Sequence, residues 1–327
     1  MNKIIEGLFS TGRVPVMPIM TNPGIELIGK NISDAVNDGQ IHFDSVVALK
    51  NRFNQSVAST TIMDLSVEAE AFGATVVFDD KEVPTVSGRL LTSREDIEAL
   101  RIPSIGEKRI PEYLKANSLA AKEIDRPLFG GCIGPFSLAG RLYDMTELMM
   151  AMYIEPDTAN LLLEKCTQFI LEYCHAIKAC GSSGVVMAEP AAGLLSNDDC
   201  MMFSSLYVKK IIDEVQDDNF AVILHNCGNA GQCTRAMVET GAAALHFGNK
   251  IDMAGVLAEV PEDIAVLGNV DPVGMMKMGT PQSITDNVHK LLNLARGHKN
   301  FVLSTGCDVP PATPIENIEA FFKAAFE

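Results

Sequence analysis

Short apolar segments alternate along the chain with longer stretches in which apolar residues recur at helical spacing. Several of the short segments are apolar at almost every position, which is typical of strands buried on both faces of a parallel sheet. Eight are predicted as strands: Val14–Met20, Thr60–Leu65, Pro127–Gly131, Val185–Ala188, Ala221–His225, Ala243–Phe247, Ala265–Gly268 and Phe301–Thr305. Because strands separated by helices form parallel β/α units, the pattern predicts an α/β fold, a single (β/α)8 TIM barrel spanning residues 1–327.

Helical spacing predicts three long helices, at Asp157–Ala179, Thr280–Arg296 and Glu316–Phe326, with Asp157 as the expected N-cap of the first. The segment Thr75–Leu90 is expected to leave the main sheet as a small β excursion. The alternative fold is an open doubly wound sheet. Its dinucleotide-binding fingerprint, Gly-x-Gly-x-x-Gly after the first strand, does not occur, and neither does a P-loop. A barrel is therefore favoured, and it would place the functional side chains at the C-terminal ends of its strands.

Composition and charge narrow the class of protein. The 327 residues carry 26 Lys and Arg against 42 Asp and Glu, a formal net charge of −16, which argues against a nucleic-acid or anionic-membrane partner. No apolar stretch approaches the roughly 20 residues that span a bilayer. Glu6 interrupts the apolar start of the chain, so no secretory signal is expected. The eight cysteines are then expected to be reduced thiols of a cytoplasmic protein.

Three residues at two predicted strand ends form a candidate metal site. The fifth predicted strand runs into His225-Asn226-Cys227-Gly228, and the eighth runs into Thr305-Gly306-Cys307-Asp308. In an alternating strand His225 and Cys227 point the same way, and a barrel brings Cys307 to the same rim. Two thiolates and one imidazole with an open fourth position are typical of a catalytic zinc site.

Other polar residues at predicted strand ends are weaker candidates. Glu189 is either a rim residue or an oxygen ligand that fills the open zinc position until substrate arrives. Asp64 is either the cap of the following helix or a hydrogen-bond acceptor in the pocket. Asp64 and Glu189 are the candidate catalytic residues. Three residues, His246, Asn269 and Asp271, are expected to orient the site and its bound cofactor through hydrogen bonds.

Several motifs resemble those of the uroporphyrinogen decarboxylase superfamily. They are Gly268-Asn269-Val270-Asp271-Pro272, Gly134-Pro135-Phe136-Ser137-Leu138, and Asp64 with the downstream Ala71-Phe72-Gly73-Ala74. Within that superfamily, His225-x-Cys227-Gly228 with Cys307 is similar to the zinc-dependent methylcobamide:coenzyme M methyltransferase branch. The resemblance implies a (β/α)8 barrel in which these three residues bind Zn²⁺. It also implies methyl transfer from a methylcorrinoid to a thiol acceptor such as coenzyme M.

The implied donor and acceptor leave specific expectations. No Asp-x-His-x-x-Gly cobalt-ligand motif occurs, so the donor is expected on a separate methylcorrinoid protein or as free methylcobalamin. A sulfonate acceptor would need a nearby cation, for which Arg141 and Lys250 are the candidates. The Arg-Gln-Ala-Gly-Arg segment of the decarboxylase branch is replaced at Thr21–Ile25 by Thr-Asn-Pro-Gly-Ile, and its C-terminal His by Cys307.

Two other functions remain open from the sequence. One is a metal-independent decarboxylase acting on a tetrapyrrole carboxylate, with Asp64 central to the reaction. The other is a non-catalytic protein that only binds a corrinoid protein. The methyltransferase is favoured because eight substrate carboxylates would need several cations, and the predicted rim offers few.

Overall fold

The computed structural model describes residues 1–327 and contains one large parallel sheet and one small hairpin. The strands are β1 (Ser59–Thr60), β2 (Thr75–Val77), β3 (Thr85–Ser87), β4 (Leu128–Ile133), β5 (Gly184–Ala188), β6 (Ala221–Asn226), β7 (Ala244–Phe247), β8 (Ala265–Val270) and β9 (Phe301–Thr305). The large sheet has seven strands in the order β1-β4-β5-β6-β7-β8-β9, and every neighbouring pair is parallel. This curled sheet, with helices between successive strands, confirms the predicted α/β class.

Helices connect the strands. The α-helices are α1 (Lys3–Leu8), α2 (Asn22–Leu27), α3 (Ile32–Asn37), α4 (Gly39–Arg52), α5 (Val67–Phe72), α6 (Arg94–Ala99), α7 (Ile110–Glu123), α8 (Pro135–Tyr143), α9 (Met145–Ile154), α10 (Pro156–Ala179), α11 (Asn197–Cys200), α12 (Leu206–Val215), α13 (Thr234–Val238), α14 (Met253–Glu259), α15 (Pro281–Leu294) and α16 (Ile315–Phe326). A 3-10 helix covers Pro190–Leu194, and π-helical turns cover Met201–Ser205 and Pro272–Lys277. No helix is both long and apolar enough to span a bilayer.

The predicted first strand, Val14–Met20, is the one of the eight that does not form. This segment makes a single parallel bridge, between Val16 and Leu303 of β9. Its backbone nevertheless reaches both edges of the sheet, because Met17 N–H donates to the Leu303 carbonyl and Val57 N–H donates to the Val16 carbonyl. Pro15 and Pro18 have no N–H group to donate, so a continuous ladder cannot form here. The sheet therefore has seven strands, and the predicted count of eight is not confirmed.

Most of the other predicted elements form with small changes at their ends, but the predicted strand Thr60–Leu65 is reduced to the two residues of β1, Ser59–Thr60. The β excursion is confirmed as the antiparallel hairpin β2–β3. Its turn is stabilised by Asp79, whose carboxylate accepts the backbone N–H groups of Lys81 and Glu82. The prediction of Asp157 as an N-cap was wrong: α10 begins one residue earlier, at Pro156, which is favoured at a first helical position, and Glu155 occupies the cap.

Alternate residues of the strands separate two buried cores. One cluster on the interior face of the sheet includes Phe129, Ile223, Leu267 and Val302, together with Leu8 of α1. Residues of opposite parity, such as Val222 and Val266, belong to the larger cluster against the helices. Because side chains alternate along a strand, His225 and His246 share the parity of the interior residues and extend that row toward the C-terminal strand ends.

Candidate metal centre and cavity

Three soft ligand atoms come together at the C-terminal ends of β6 and β9. His225 is the penultimate residue of β6, Cys227 follows the strand directly, and Cys307 lies two residues beyond β9. The imidazole nitrogen and both sulfur atoms lie within 4.8 Å of one another, the one such grouping of three potential metal ligands in the chain. The Cys307 Sγ atom is 3.7 Å from His225 Nε2. The structure thus brings together the three residues predicted as metal ligands.

Two glycines allow the loops that carry these ligands to approach one another. A Cβ atom at Gly248 would lie 2.7 Å from the Cα atom of Cys227, and one at Gly306 would lie 2.6 Å from the backbone nitrogen of Asn249. Side chains at either position would push the loops after β6, β7 and β9 apart. The glycines are therefore a local requirement for the convergence of the two cysteines.

The donor set fits a tetrahedral zinc ion. Zn–S bonds of about 2.3 Å and Zn–N bonds of about 2.0–2.1 Å place tetrahedral ligand atoms roughly 3.5–3.8 Å apart. The observed separation of Cys307 Sγ and His225 Nε2 lies in that range. With three protein ligands the ion would keep one position free for a substrate atom, as in catalytic zinc sites.

A buried hydrogen-bond chain fixes the tautomer of His225. The Ser304 hydroxyl donates to the Met17 carbonyl at 2.7 Å, so its oxygen accepts from His246 Nε2 at 3.0 Å. His246 Nδ1 is then an acceptor, and it lies 2.6 Å from His225 Nδ1, which must carry the hydrogen. Burial holds the pKa of His246 well below its usual value, which keeps its ring neutral. The Nε2 lone pair of His225 is consequently left free on the side of Cys307.

The thiols of Cys227 and Cys307 differ in pKa. A hydrogen bond from Cys307 lowers the pKa of Cys227 to about 7, against the opposing effect of burial. The same contact raises the pKa of Cys307 well above its ordinary value. Cys227 is therefore the thiol that ionises first, and the thiolate it forms is the form that binds metals.

A cavity of about 370 Å³ opens beside the three ligands. Its walls include Met63 and Leu65 after β1, Val83 and Pro84 of the hairpin loop, and Ala188 at the end of β5. The charged residues that line it are Glu82, Arg141 and Asp308. A mostly apolar chamber with a cluster of soft ligands at one end is suited to a small organic molecule whose reactive atom is sulfur.

Asp308 is a site residue that the sequence analysis missed. It follows Cys307 directly, and its carboxylate accepts hydrogen bonds from the backbone and hydroxyl groups of Thr21 and from the Asn22 amide. Burial outweighs these bonds and raises the pKa of Asp308 to about 6. Its position next to a predicted ligand was the available signal, but its partners come from the other end of the chain.

Asp64 and Glu189 do not line the cavity, and their catalytic roles stay predictions. Asp64 is buried, and its Oδ2 atom accepts from Arg109 at 2.5 Å and from the Tyr113 hydroxyl at 2.8 Å. Its Oδ1 atom accepts from the N–H and hydroxyl groups of Ser66, the N-cap of α5. A carboxylate with this many short-range donors is a framework group, because no lone pair is left to act on a substrate.

The Glu189 carboxylate is equally engaged. It accepts the backbone N–H groups of Phe136 and Ser137 in the first turn of α8, at 2.9 and 2.7 Å, and the Ser204 hydroxyl at 3.0 Å. Carboxylates bind well at helix N-termini, where backbone donors are unpaired. These bonds hold α8 against the end of β5, and Glu189 lies outside the grouping of His225, Cys227 and Cys307. Of the two alternatives for Glu189, an oxygen ligand or a residue of the rim, neither is tested by this arrangement.

The three residues expected to orient a cofactor are divided between two places. Only His246 contacts the candidate metal centre, through His225. The Asn269 amide donates to the carbonyls of Gly248 and Ile251, and Asp271 accepts the N–H groups of Val273 and Gly274. Asn269 and Asp271 line a separate cavity, and of the two only Asn269 bonds to the loop after β7.

The chain is similar to known proteins in both sequence and fold. The family model for uroporphyrinogen decarboxylase (URO-D) matches residues 9–327. A methylcobamide:CoM methyltransferase, MtbA, of Methanosarcina acetivorans is 28% identical over 276 residues, covering 80% of this chain and 77% of the relative. A uroporphyrinogen decarboxylase of Serratia proteamaculans is 29% identical over 281 residues, covering 82% and 77%. A solved methyltransferase from Methanosarcina mazei superimposes with a TM-score of 0.89 at 23% identity, covering 99% of this chain and 98% of that one, which establishes the shared fold.

Proposed function

The chain belongs to the uroporphyrinogen decarboxylase family, and from this premise we propose that it is a zinc-dependent methyltransferase. It would move a methyl group from a methylcorrinoid to a thiol acceptor such as coenzyme M. The observation that carries the proposal is the grouping of His225, Cys227 and Cys307 within 4.8 Å beside a cavity. Overall identity does not choose between methyltransferase and decarboxylase relatives, because both are 28–29% identical to this chain.

The charge of the site suits thiol chemistry. A divalent ion held by two thiolates and a neutral imidazole has a net charge of about zero, which preserves electron density on an added sulfur. When bound, the zinc ion would supply deprotonation of the incoming thiol and hold its sulfur in place. The chain's own part is to fix the ligand geometry: the bond from His225 to His246 prevents rotation of the imidazole and keeps Nε2 unprotonated.

The proposed reaction balances without a further reactant. The thiol loses its proton to solvent, the sulfur forms a bond to the methyl carbon, and the cobalt–carbon bond breaks with its electron pair left on cobalt. Thiol and methylcobalt(III) corrinoid thus give a methyl thioether, cobalt(I) corrinoid and a proton. The apolar part of the cavity wall offers few groups that could hold an ordered water beside the thiolate.

We propose that the corrinoid reaches the cavity from outside, either on a separate protein or free in solution. The 327 residues contain no Asp-x-His-x-x-Gly motif that would supply a cobalt ligand. The relatives named for methylcobamide support a corrinoid donor. Coenzyme M is the acceptor named for the relative, and an assay with several thiols identifies the acceptor of this chain.

The decisive experiment combines metal analysis with a spectroscopic methyl-transfer assay. Purified protein should contain about one zinc per chain, and methylcobalamin absorbance should fall when 2-mercaptoethanesulfonate is added. Cys227→Ala and Cys307→Ser should each lose zinc and activity together. Cys180→Ala is the matched control, because Cys180 is a half-buried thiol outside the candidate metal centre whose only hydrogen bond is to the Leu114 carbonyl.

Two results would contradict the proposal. Full activity in zinc-free wild-type protein, or in Cys307→Ser, would remove the metal from the reaction. Release of carbon dioxide from a tetrapyrrole carboxylate, with no methyl transfer to any thiol, would instead support the decarboxylase alternative.

A further inference from the structure

Arg141 is a cation that the fold leaves without a hydrogen bond or salt bridge, although the carboxyl groups of Glu68 and Asp64 lie near enough to act on its charge. Three of the chain's arginines are not fully exposed: Arg109, Arg126 and Arg141. Arg109 bonds to two carboxylates, and Arg126 donates to Ser59 and to the carbonyls of Phe53 and Ser56. Arg141 alone makes no hydrogen bond and no salt bridge within the chain, although it carries five N–H donors. No nitrogen of Arg141 is among the buried polar atoms that lack a partner, so its donors are open to the cavity, where a ligand can accept from them.

The unpaired guanidinium faces the cavity that holds the candidate metal ligands. Arg141 lies in the last turn of α8, four residues after Ser137, so both residues lie on one side of the helix. Ser137 is fixed at the end of β5, where its N–H group donates to Glu189 and its hydroxyl accepts from Ala191 N–H. The same side of α8 therefore carries Arg141 to the cavity wall, where it lies among the residues that surround His225 and Cys307.

The other charges of the cavity set the direction in which a ligand binds. Arg141 is the only cation that lines the cavity, while Asp308 lies next to Cys307 and Glu82 lies on the hairpin. Lys250, the other cation considered from the sequence, is exposed and is not part of the wall. An anionic group would be repelled beside Asp308 and attracted beside Arg141. The apolar residues Met63, Leu65 and Pro84 complete the wall.

We propose that Arg141 binds the anionic end of the methyl acceptor, a short thiol that carries one sulfonate or carboxylate group, while its sulfur points to His225, Cys227 and Cys307. The planar guanidinium can accept either anion through two parallel hydrogen bonds. One cation fits a ligand with one anionic group, whereas a substrate with eight carboxylates would leave most of them unpaired. This inference rests on the proposed function for the thiol end of the ligand, but the anion site is testable without it.

The test compares thiols that differ in charge. Methyl transfer is measured with 2-mercaptoethanesulfonate, with 3-mercaptopropionate and with neutral 2-mercaptoethanol, in wild type, Arg141→Gln and Arg141→Lys. Arg141→Gln should lower the preference of kcat/KM for the anionic thiols over 2-mercaptoethanol by about 10- to 100-fold, the range for a hydrogen bond to a charged group. Arg141→Lys should retain part of the preference, because it keeps the charge but not the paired donors. The ratio of the two anionic thiols identifies which group the site prefers.

Arg296→Gln is the matched control. Arg296 is likewise unpaired but is exposed and outside the cavity, so its removal changes the net charge equally and should leave the preference unchanged. Zinc content and thermal unfolding of Arg141→Gln should match the wild type, which separates loss of the anion site from loss of the fold.

Calorimetric titration with ethanesulfonate, which has no thiol, provides a readout that needs no catalysis. Binding to wild type that is lost in Arg141→Gln supports the inference, even if no thiol is methylated and the proposed function fails. An equal loss of activity toward charged and neutral thiols would overturn the inference, and so would unchanged selectivity. Absence of ethanesulfonate binding to the wild type would also overturn it.

Discussion

The hydrogen-bond chain behind His225 predicts that a residue with no contact to the metal controls metal affinity. In Ser304→Ala, the Nε2–H group of His246 loses its acceptor. A buried N–H without a partner costs about 1–3 kcal/mol, which favours transfer of the hydrogen to Nδ1 of His246. That atom faces His225 Nδ1 at 2.6 Å, so His225 must become the acceptor and place its own hydrogen on Nε2. A protonated Nε2 cannot bind zinc.

The magnitude follows from the energy of that tautomer change. Loss of an orienting partner behind a metal-bound histidine typically costs 10- to 100-fold in metal affinity, about 1.4–2.8 kcal/mol. We expect Ser304→Ala to fall in this range and His246→Leu to lie at its upper end, because the leucine removes the acceptor of His225 outright. The measurement is a zinc competition titration against a chromophoric chelator at one fixed neutral pH.

A buried serine elsewhere provides the control. The Ser182 hydroxyl donates to the Asn117 side chain at 3.0 Å, just before β5 and away from the candidate metal ligands. Ser182→Ala should therefore lower the free energy of unfolding by about 1 kcal/mol without changing zinc affinity. Equal zinc affinity in Ser304→Ala and Ser182→Ala would contradict this prediction.

Two further changes separate framework residues from the site. Asp64→Asn should lower the free energy of unfolding by about 3 kcal/mol in urea titrations, because it leaves the Arg109 guanidinium buried beside one carboxylate instead of two. Activity per folded molecule should be unchanged. A large loss of activity in stable protein would instead support a catalytic role for Asp64. Burial raises the pKa of Glu68 from 4.5 to about 7. Between these two pH values the folded protein keeps a proton on Glu68 that the unfolded chain has lost, so the contribution of this group to the free energy of unfolding falls as pH rises through about 7. Glu68→Gln should remove that dependence, a change of up to about 3 kcal/mol between pH 4 and 8; parallel pH–stability curves for the two proteins would contradict the assignment.

The part of the site that could be predicted from sequence is the part that depends only on topology. Strand ends of a parallel sheet meet at one edge, so His225, Cys227 and Cys307 could be placed together from spacing alone. The predicted strand Val14–Met20 did not form for a different reason. The segment is as apolar as a buried strand, but its two prolines lack the N–H donors that a continuous strand ladder requires.

The roles of the carboxylates could not be predicted, because each depends on partners that packing brings from distant segments. Asp64 is paired by Arg109, 45 residues away, and Glu189 holds the first turn of α8, 52 residues away. A buried acid at a strand end has the same sequence signal whether it meets a substrate or a helix N-terminus. Only the contacts distinguish the two.

The Met17 carbonyl ends the chain of bonds that starts at His225, so under the proposed function the first twenty residues would affect how the ion is bound. A newly made chain whose leading segment has not yet docked beside β9 lacks the acceptor that orients Ser304. Such a chain would present an imidazole free to hold its hydrogen on either nitrogen, and it would compete poorly for scarce zinc. Metal uptake would thereby become a late event in maturation, reserved for molecules whose two ends have already met.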